Sequence, residues 1–155
     1  MMRFLRGFLY AFRGIGFCLT RERNFRFHVA AAVYVLLLAP YFLTSRMEWA
    51  ILSLTIGAVC AAEAFNTAVE KAVDLHSTRP HPTARAAKDV AAGAVLLCAL
   101  AAVGVGLAFF TRPQGWTALL QDFSARIYKP VLLLLSLPLA GWLVFRRYPS
   151  PPDKP

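Results

Sequence analysis

Three carboxylates and an amide lie on one stripe of a segment that is otherwise apolar enough to enter a membrane. Glu63, Asn66, Glu70 and Asp74 follow an apolar run that begins near Trp49. Because spacings of three and four residues return to the same face of an α-helix, these polar side chains share one face. Acids within a membrane helix are costly and usually functional. The stripe therefore predicts a site of chemistry or transport at the end of a membrane helix.

The composition is typical of an integral membrane protein. Of the 155 residues, 58% are hydrophobic and only 16% are charged, which is too apolar for an ordinary soluble domain. Four apolar runs predict helices that cross a bilayer, although the last is marginally short. We therefore predict an all-α membrane protein. Its expected parts are an amphipathic surface helix at about 2–20, core transmembrane helices at about 26–43, 47–76 and 85–111, an outer connection over 112–129, an extra transmembrane helix over 130–147 and a disordered tail over 148–155.

The basic residues indicate how the chain is oriented. The net charge of +9 lies beside the apolar runs and not in a separate polar domain, so we expect no nucleic-acid partner. Several arginines precede the first span, whereas the connection to the second span contributes only Arg46. Cytoplasmic segments are richer in Lys and Arg. The N-terminus and the acidic stripe are therefore predicted to lie on the cytoplasmic side.

The three cysteines are scattered singly along the chain. Cys18, Cys60 and Cys98 form no CxxC pair and have no accompanying histidines at zinc-ligand spacing. This pattern predicts buried packing residues and neither a disulfide framework nor a zinc site.

Five of the eight acids map to the cytoplasmic boundary of the predicted helices. They are Glu22, Glu63, Glu70, Asp74 and Asp89. Mutual repulsion makes such a cluster unfavourable unless a cation neutralises it, and oxygen ligands suit Mg²⁺, which binds one or two protein carboxylates together with substrate phosphates. The basic neighbours Arg26, Lys71 and Lys88 could hold an anionic ligand. Together these groups indicate phosphoryl transfer at the membrane surface.

Two other functions stay open at this point. A proton or cation transporter would also carry acids in its spans, although no polar relay leads from these acids to the other side. A structural cluster, in which Glu70 pairs with Lys71 or Lys88, would leave Glu63 and Asn66 unexplained. The sequence contains no P-loop, protein-kinase glycine loop or GxSxG motif, so the standard nucleotide-binding and hydrolase folds are not supported.

Two motifs resemble the signature of the prokaryotic diacylglycerol kinase and undecaprenol kinase family. EAFNTAVE runs from Glu63 to Glu70, and AKDVAAGA runs from Ala87 to Ala94. The resemblance extends to about Phe110 and makes residues 1–111 the expected lipid kinase core. It implies a small homotrimeric enzyme of the bacterial cytoplasmic (inner) membrane. This enzyme would transfer the γ-phosphoryl group of ATP, with Mg²⁺, to a membrane lipid alcohol.

The same resemblance implies roles for individual residues. Glu63 is the expected general base, and Asn66 is expected to orient it or the substrate. Glu22 and Glu70 are the expected metal ligands. The implied nucleotide-binding set is Tyr10, Glu22, Glu70, Asp74, His81, Lys88 and Asp89, of which Lys88 is also expected to be catalytic. The implied substrate or phosphate contacts are Arg3, Arg6, Arg26 and Glu63.

His28 bears on which lipid is used. A His commonly occupies this position in the undecaprenol kinase branch, whereas a carboxylate tends to occupy it in the diacylglycerol branch. His81, followed by Pro82, favours the same branch. We therefore predict undecaprenol as the substrate, with diacylglycerol as the alternative. The family pattern has three spans, so the predicted fourth span is a departure from it.

Overall fold

The computed structural model describes residues 2–76 and 81–146, with only the backbone of Met2 and Arg3. The predicted tail over 148–155 and the side chain of Arg3 therefore lie outside the described residues. All regular structure in the described ranges is helical. The elements are α1 (Met2–Arg21), α2 (Arg23–Phe42), α3 (Arg46–His76), α4 (Pro82–Phe110), α5 (Pro113–Ala125) and α6 (Tyr128–Phe145).

Four of the helices are long and apolar enough to cross a membrane, judged by length and composition. They are α2, α3, α4 and α6. The prediction of an all-α membrane protein with a surface helix, three core spans and a fourth span is confirmed. The segment expected as an outer connection contains one further short helix, α5, which begins at Pro113. Proline suits this position because the first turn of a helix leaves its N–H groups unpaired in any case.

The first helix carries its apolar side chains on an exposed face. Phe4, Phe8 and Phe12 are each more than half exposed, although they recur at helical spacing. The main contacts of α1 with the rest of the chain are to α2 and α3. An apolar face that the chain itself does not cover, on a helix rich in arginine, is typical of a helix that lies in the membrane interface.

The two longest helices form a hairpin to which the others are added. α3 and α4 pack against each other along more of their length than any other pair. α2 packs on α3, and α6 packs chiefly on α2. The fourth span therefore lies on the outside of α2, away from the α3–α4 pair.

The tightest packing lies at the end of the helices that carries Phe42. We call it the opposite end, because it lies across the bundle from the acidic stripe of α3. Ala39, Phe42, Leu43, Leu52 and Phe109 form a buried apolar cluster there. The α5 helix closes over this cluster. A Cβ atom built on its Gly115 would collide with the ring of Phe42, so the close approach of α5 requires glycine at this position.

Polar groups at the opposite end fix the turn between α2 and α3. The backbone N–H of Glu48 donates to the hydroxyl of Ser45, and the Glu48 carboxylate accepts from the N–H groups of Thr44 and Ser45. This reciprocal arrangement is a capping box. Arg112 adds an ion pair of 2.7 Å to Glu48 and a hydrogen bond to the Phe42 carbonyl. The first turn of α3 is thereby tied to the connection that precedes α5.

Candidate active site

Glu63 lies at the centre of the other end of the bundle, which we call the acidic end. It is only 3% exposed, and it shares its buried face of α3 with Asn66 and Thr67. A buried carboxylate is costly unless polar groups surround it. One such group comes from another helix, because the side chain of Asn24 in the first turn of α2 is hydrogen-bonded to the Glu63 carboxylate.

Two further carboxylates lie within electrostatic range of Glu63. They belong to Glu70, two turns further along α3, and to Glu22, the residue between α1 and α2. Glu22 has extended backbone geometry and occupies the N-cap position of α2, but its side chain makes no capping hydrogen bond. Its carboxylate instead forms an ion pair of 3.5 Å with Lys71. The break between α1 and α2 therefore directs Glu22 towards the acidic face of α3.

Asn66 links the acidic stripe internally. Its side-chain amide donates a hydrogen bond of 2.9 Å to Oε1 of Glu70. Its carbonyl oxygen, Oδ1, is buried and has no hydrogen-bond partner in the structure. Since buried acceptors are nearly always paired, an unpaired one beside three acids is a candidate contact for a donor group of a ligand. The predicted role of Asn66 in orienting Glu63 or the substrate stays a prediction.

Cys18 is a member of this cluster that the sequence indicated only as a packing residue. It lies in the last turn of α1, is 6% exposed, and forms no disulfide. Its burial and the neighbouring carboxylates of Glu22 and Glu63 raise the pKa of the Cys18 thiol. α1 therefore covers one side of the acidic end with a neutral side chain.

A second polar group continues the stripe beyond Glu70. Nζ of Lys88, in the second turn of α4, forms an ion pair of 2.5 Å with Oδ1 of Asp74 in α3. Both side chains are more than a third exposed. The hairpin thus brings together two of the residues predicted to bind nucleotide, and it holds a lysine on the same face as the acids.

The remaining predicted nucleotide residues lie at exposed positions around this group. Asp89 forms an ion pair of 3.9 Å with Arg85, one turn earlier on α4. His81 caps the N-terminus of α4 by accepting a hydrogen bond of 3.3 Å from the backbone N–H of Thr83. Tyr10 is an exposed side chain of α1, and Arg6 is exposed on the same helix. Their roles at a nucleotide stay predictions.

Arg26 has partners that the sequence could not indicate. Its guanidinium donates hydrogen bonds to the carbonyl oxygens of Val144 and Arg146 at the end of α6, and to that of Thr20 at the end of α1. Cationic side chains are favourable at helix C-termini, where carbonyl groups lack partners within the helix. The predicted contact of Arg26 with phosphate or lipid stays a prediction.

A cavity of about 160 Å³ lies between α2, α3 and α4, on the side of Glu63 that faces the opposite end. Its α3 wall includes Val59 and Cys60, which precede Glu63 by four and three residues on the same face. His28 of α2 and Gly106 of α4 belong to the other walls. Apolar side chains dominate this lining, so the cavity suits an apolar group.

The acids at this end fit a metal only with help from a ligand. In the described ranges, 2–76 and 81–146, no group of three or more His, Cys, Asp and Glu side chains is arranged to hold a metal ion. Mg²⁺ usually takes one or two protein carboxylates and completes its shell with water and substrate phosphates. Glu22 and Glu70, which are both within electrostatic range of Glu63, stay the predicted metal ligands.

Comparison with known proteins decides the family. The family model described as prokaryotic diacylglycerol kinase matches residues 9–110. The chain belongs to this family. It is accordingly a lipid kinase and a membrane protein, with ATP as the phosphoryl donor that the kinase family implies. In this family member, α5 and α6 lie beyond the matched residues.

Relatives of this lipid kinase include enzymes named for two different lipids. It is 45% identical to the undecaprenol kinase of Bacillus subtilis over 70% of this chain and 88% of the relative. It is 43% identical to the diacylglycerol kinase of Synechocystis over 64% of this chain, although it spans only 57% of that relative. It is 33% identical to a diacylglycerol kinase of Helicobacter pylori over 70% of this chain and 79% of the relative. No solved structure gives a significant match.

Proposed function

We propose that this kinase phosphorylates undecaprenol to undecaprenyl phosphate, with Glu63 as the general base. The observation that carries the proposal is the buried Glu63 carboxylate, which has two further acids within electrostatic range and lies three residues beyond Cys60, a wall residue of an apolar cavity. A lipid alcohol needs this combination, because its chain requires an apolar wall and its hydroxyl requires a proton acceptor.

The chemistry follows from the position of Glu63. The lipid hydroxyl oxygen forms a bond to the γ-phosphorus of ATP as the bond to the ADP oxygen breaks, and the hydroxyl proton passes to the Glu63 carboxylate. General-base help of this kind contributes roughly 10²-fold to 10⁴-fold to a rate. Asn24, which is hydrogen-bonded to Glu63, orients the carboxylate. The unpaired Oδ1 of Asn66 accepts a hydrogen bond from the bound substrate.

The nucleotide is proposed to bind along the remainder of the stripe. Glu22 and Glu70 would hold Mg²⁺, which spreads the charge that develops on the phosphoryl oxygens when it is bound with ATP. Lys88 supplies positive charge to the phosphates, and Asp74 holds that lysine in place. Asp89, His81 and Tyr10 are proposed as more peripheral nucleotide contacts.

The preference for undecaprenol rests on His28 and on the relative from Bacillus subtilis. His28 lines the apolar cavity whose α3 wall ends at Cys60, three residues before Glu63, so it lies where it can contact a lipid chain in that cavity. The relative that is named undecaprenol kinase is matched over 88% of its length. Diacylglycerol is the competing substrate, because other relatives are named diacylglycerol kinases.

The cellular setting is proposed from the charge pattern and the family resemblance. The arginines of α1 and the first turn of α2 support a cytoplasmic acidic end, with the chain spanning the bacterial inner membrane. A homotrimer is proposed from the resemblance. The most apolar stretch of α4 has no residue buried within the single chain, which leaves that helix available to lipid or to another copy.

A transfer assay tests the function. Purified protein in lipid micelles is supplied with γ-labelled ATP, Mg²⁺ and an equimolar mixture of undecaprenol and diacylglycerol, and the labelled lipids are separated. We expect label chiefly in undecaprenyl phosphate. Label chiefly in phosphatidic acid would overturn the lipid assignment. If no lipid is labelled and the protein moves cations across liposomes without ATP, the assignment of kinase activity would be overturned.

A single exchange sharpens the assay of lipid preference. His28→Glu places a carboxylate beside the cavity, as in the diacylglycerol branch, and is expected to shift the ratio of labelled products towards phosphatidic acid. Thr55→Val, which changes another polar residue of the same cavity, is the matched control and should leave the ratio unchanged. Equal shifts in both variants would show that the ratio reports cavity shape and not residue 28.

A further inference from the structure

Among the described residues, three polar contacts join α6 to α2. One lies at the opposite end, where Nζ of Lys129 donates to the Tyr41 hydroxyl, and the other two border an apolar groove. At mid-span, the Tyr34 hydroxyl and the Ser136 hydroxyl are 2.9 Å apart and share a hydrogen bond. At the acidic end, the Arg26 guanidinium bonds the carbonyls of Val144 and Arg146. The groove between these points has a volume of about 400 Å³ and is lined mainly by apolar side chains of both helices. The position of α6 therefore depends strongly on its polar attachments.

The attachment at Arg26 joins three helices. The guanidinium belongs to the first turn of α2, and it bonds the carbonyl ends of both α1 and α6 at distances of 2.9 to 3.1 Å. Two helix C-termini that meet at one place bring together two negative dipole ends, and a cation between them stabilises both. The planar fork of arginine has donors that point in several directions, which suits this geometry better than the single ammonium of lysine.

The joined region contains Glu22. This residue is the break between α1 and α2, with the bonded carbonyl of Thr20 two residues before it and Arg26 four residues after it. The backbone N–H of Arg26 also donates to the carbonyl of Glu22. Any shift of the Arg26 side chain therefore acts on the angle between α1 and α2, and with it on the direction of the Glu22 carboxylate.

We propose that Arg26 is a positioning residue through which α6, the helix beyond the family model, sets the Mg²⁺ and ATP affinity of the kinase. α6 holds Arg26, Arg26 holds the α1–α2 junction, and the junction holds Glu22 towards Glu63 and Glu70. This inference rests on the proposed function, because it takes Glu22 as a metal ligand.

The test compares two ways of breaking the same connection in the whole 155-residue chain. Arg26→Gln removes the cation, whereas Val144→Pro distorts the last turn of α6 and changes no charge. Binding of a fluorescent ATP analogue is titrated against Mg²⁺, which needs no turnover, and the KM for lipid is measured separately. Arg23→Gln removes an exposed arginine three residues earlier in α2 and is the matched control.

We expect each of the two variants to raise the half-saturating Mg²⁺ concentration by about threefold or more, as couplings between sites commonly do. The double variant should have a half-saturating Mg²⁺ concentration no higher than that of the more affected single variant, because both substitutions break one connection. Arg26→Lys should behave like Arg26→Gln, since lysine lacks the fork. Arg23→Gln should leave the half-saturating Mg²⁺ concentration unchanged, and the KM for lipid should be unchanged in the variants.

Three results would overturn the inference. In the first, the Val144→Pro variant folds, as judged by its thermal unfolding midpoint, and binds Mg²⁺ and ATP normally. This result would show that α6 has no part in the affinity for Mg²⁺ and ATP. Full recovery in Arg26→Lys would indicate a simple charge contact with phosphate. Additive effects in the double variant would show two separate causes. Failure of the proposed function is distinguishable, because it appears as absent lipid labelling in the unaltered protein.

Discussion

The amide of Asn66 donates a hydrogen bond of 2.9 Å to Glu70 one turn further along α3, while its own carbonyl oxygen is buried without a partner. One side chain thus orients a proposed metal ligand and leaves an acceptor for a substrate. Hydrogen bonds to charged groups contribute more than neutral ones, and an unpaired buried acceptor is costly. The arrangement is therefore suited to being completed by a bound ligand.

Replacement of Asn66 tests this arrangement. Asn66→Asp adds a carboxylate beside Glu70 and removes the donor, so we expect the half-saturating Mg²⁺ concentration to change and turnover to fall by at least about tenfold. Asn66→Ala removes both groups without adding charge and should lower turnover with a smaller change in metal dependence. Steady-state rates at varied Mg²⁺ measure both effects. Wild-type rates in Asn66→Ala would contradict a role for this amide.

The ion pair of Asp74 and Lys88 should matter for nucleotide binding more than for stability. Its side chains are 60% and 37% exposed, and exposed ion pairs contribute only about 0 to 1 kcal/mol to folding. We therefore expect Lys88→Gln to raise the KM for ATP severalfold with little change in thermal unfolding. Arg23→Gln, which removes an exposed arginine of α2, is a charge-matched comparison. An equal rise in KM for both variants would show that only the total charge matters.

Gly115 offers a test of packing at the opposite end. Gly115→Ala places a methyl group against the ring of Phe42, which is 2% exposed and has no space to move. Overpacking of this kind costs about 1 to 3 kcal/mol, so the thermal unfolding midpoint should fall. Gly104→Ala is the control, because a Cβ there meets no atom within 4 Å. It should be neutral or stabilising by up to about 1 kcal/mol.

The hydrogen-bonded environment of the Asp122 carboxyl predicts that the stability of the fold depends on pH. Hydrogen bonds from Lys129 and from the Tyr41 hydroxyl hold the pKa of the Asp122 carboxyl below its ordinary value of 3.8. Because the folded-state pKa is depressed, this carboxylate stabilises the fold above pH 3.8. That contribution is lost as the pH falls through the lower, folded-state pKa.

The comparison is between the wild type and Asp122→Asn in thermal unfolding scans at several pH values. The variant should be less stable than the wild type at pH 7, and the difference should shrink as the pH falls below about 4. Ser124→Ala, two residues away, should parallel the wild type. A difference that is constant with pH would rule out titration of Asp122 as its cause.

The spans and the acidic stripe could be predicted because their signals are local. Apolar runs of sufficient length give α2, α3, α4 and α6, and a spacing of three or four residues places Glu63, Asn66 and Glu70 on one face. These features depend on residues that are close together in sequence, so one chain is enough to show them.

The contacts between helices could not be predicted in the same way. Arg26 bonds backbone carbonyls of α6 that lie 118 and 120 residues away in the sequence, and carbonyl groups carry no residue identity. The contact of Asn24 with Glu63 likewise depends on how α2 packs on α3. The close approach at Gly115 required knowledge that α5 folds back over Phe42. Each depends on tertiary packing, which helical periodicity does not determine.

The most direct measurement of the central claim is the turnover of Glu63→Gln in the lipid transfer assay. Glutamine preserves the size of the side chain and removes its ability to accept a proton. We predict a loss of turnover of about 10²-fold or more, with Mg²⁺-dependent ATP binding retained and the thermal unfolding midpoint unchanged or higher. Turnover near the wild-type rate in a folded variant would contradict the assignment of Glu63 as the general base.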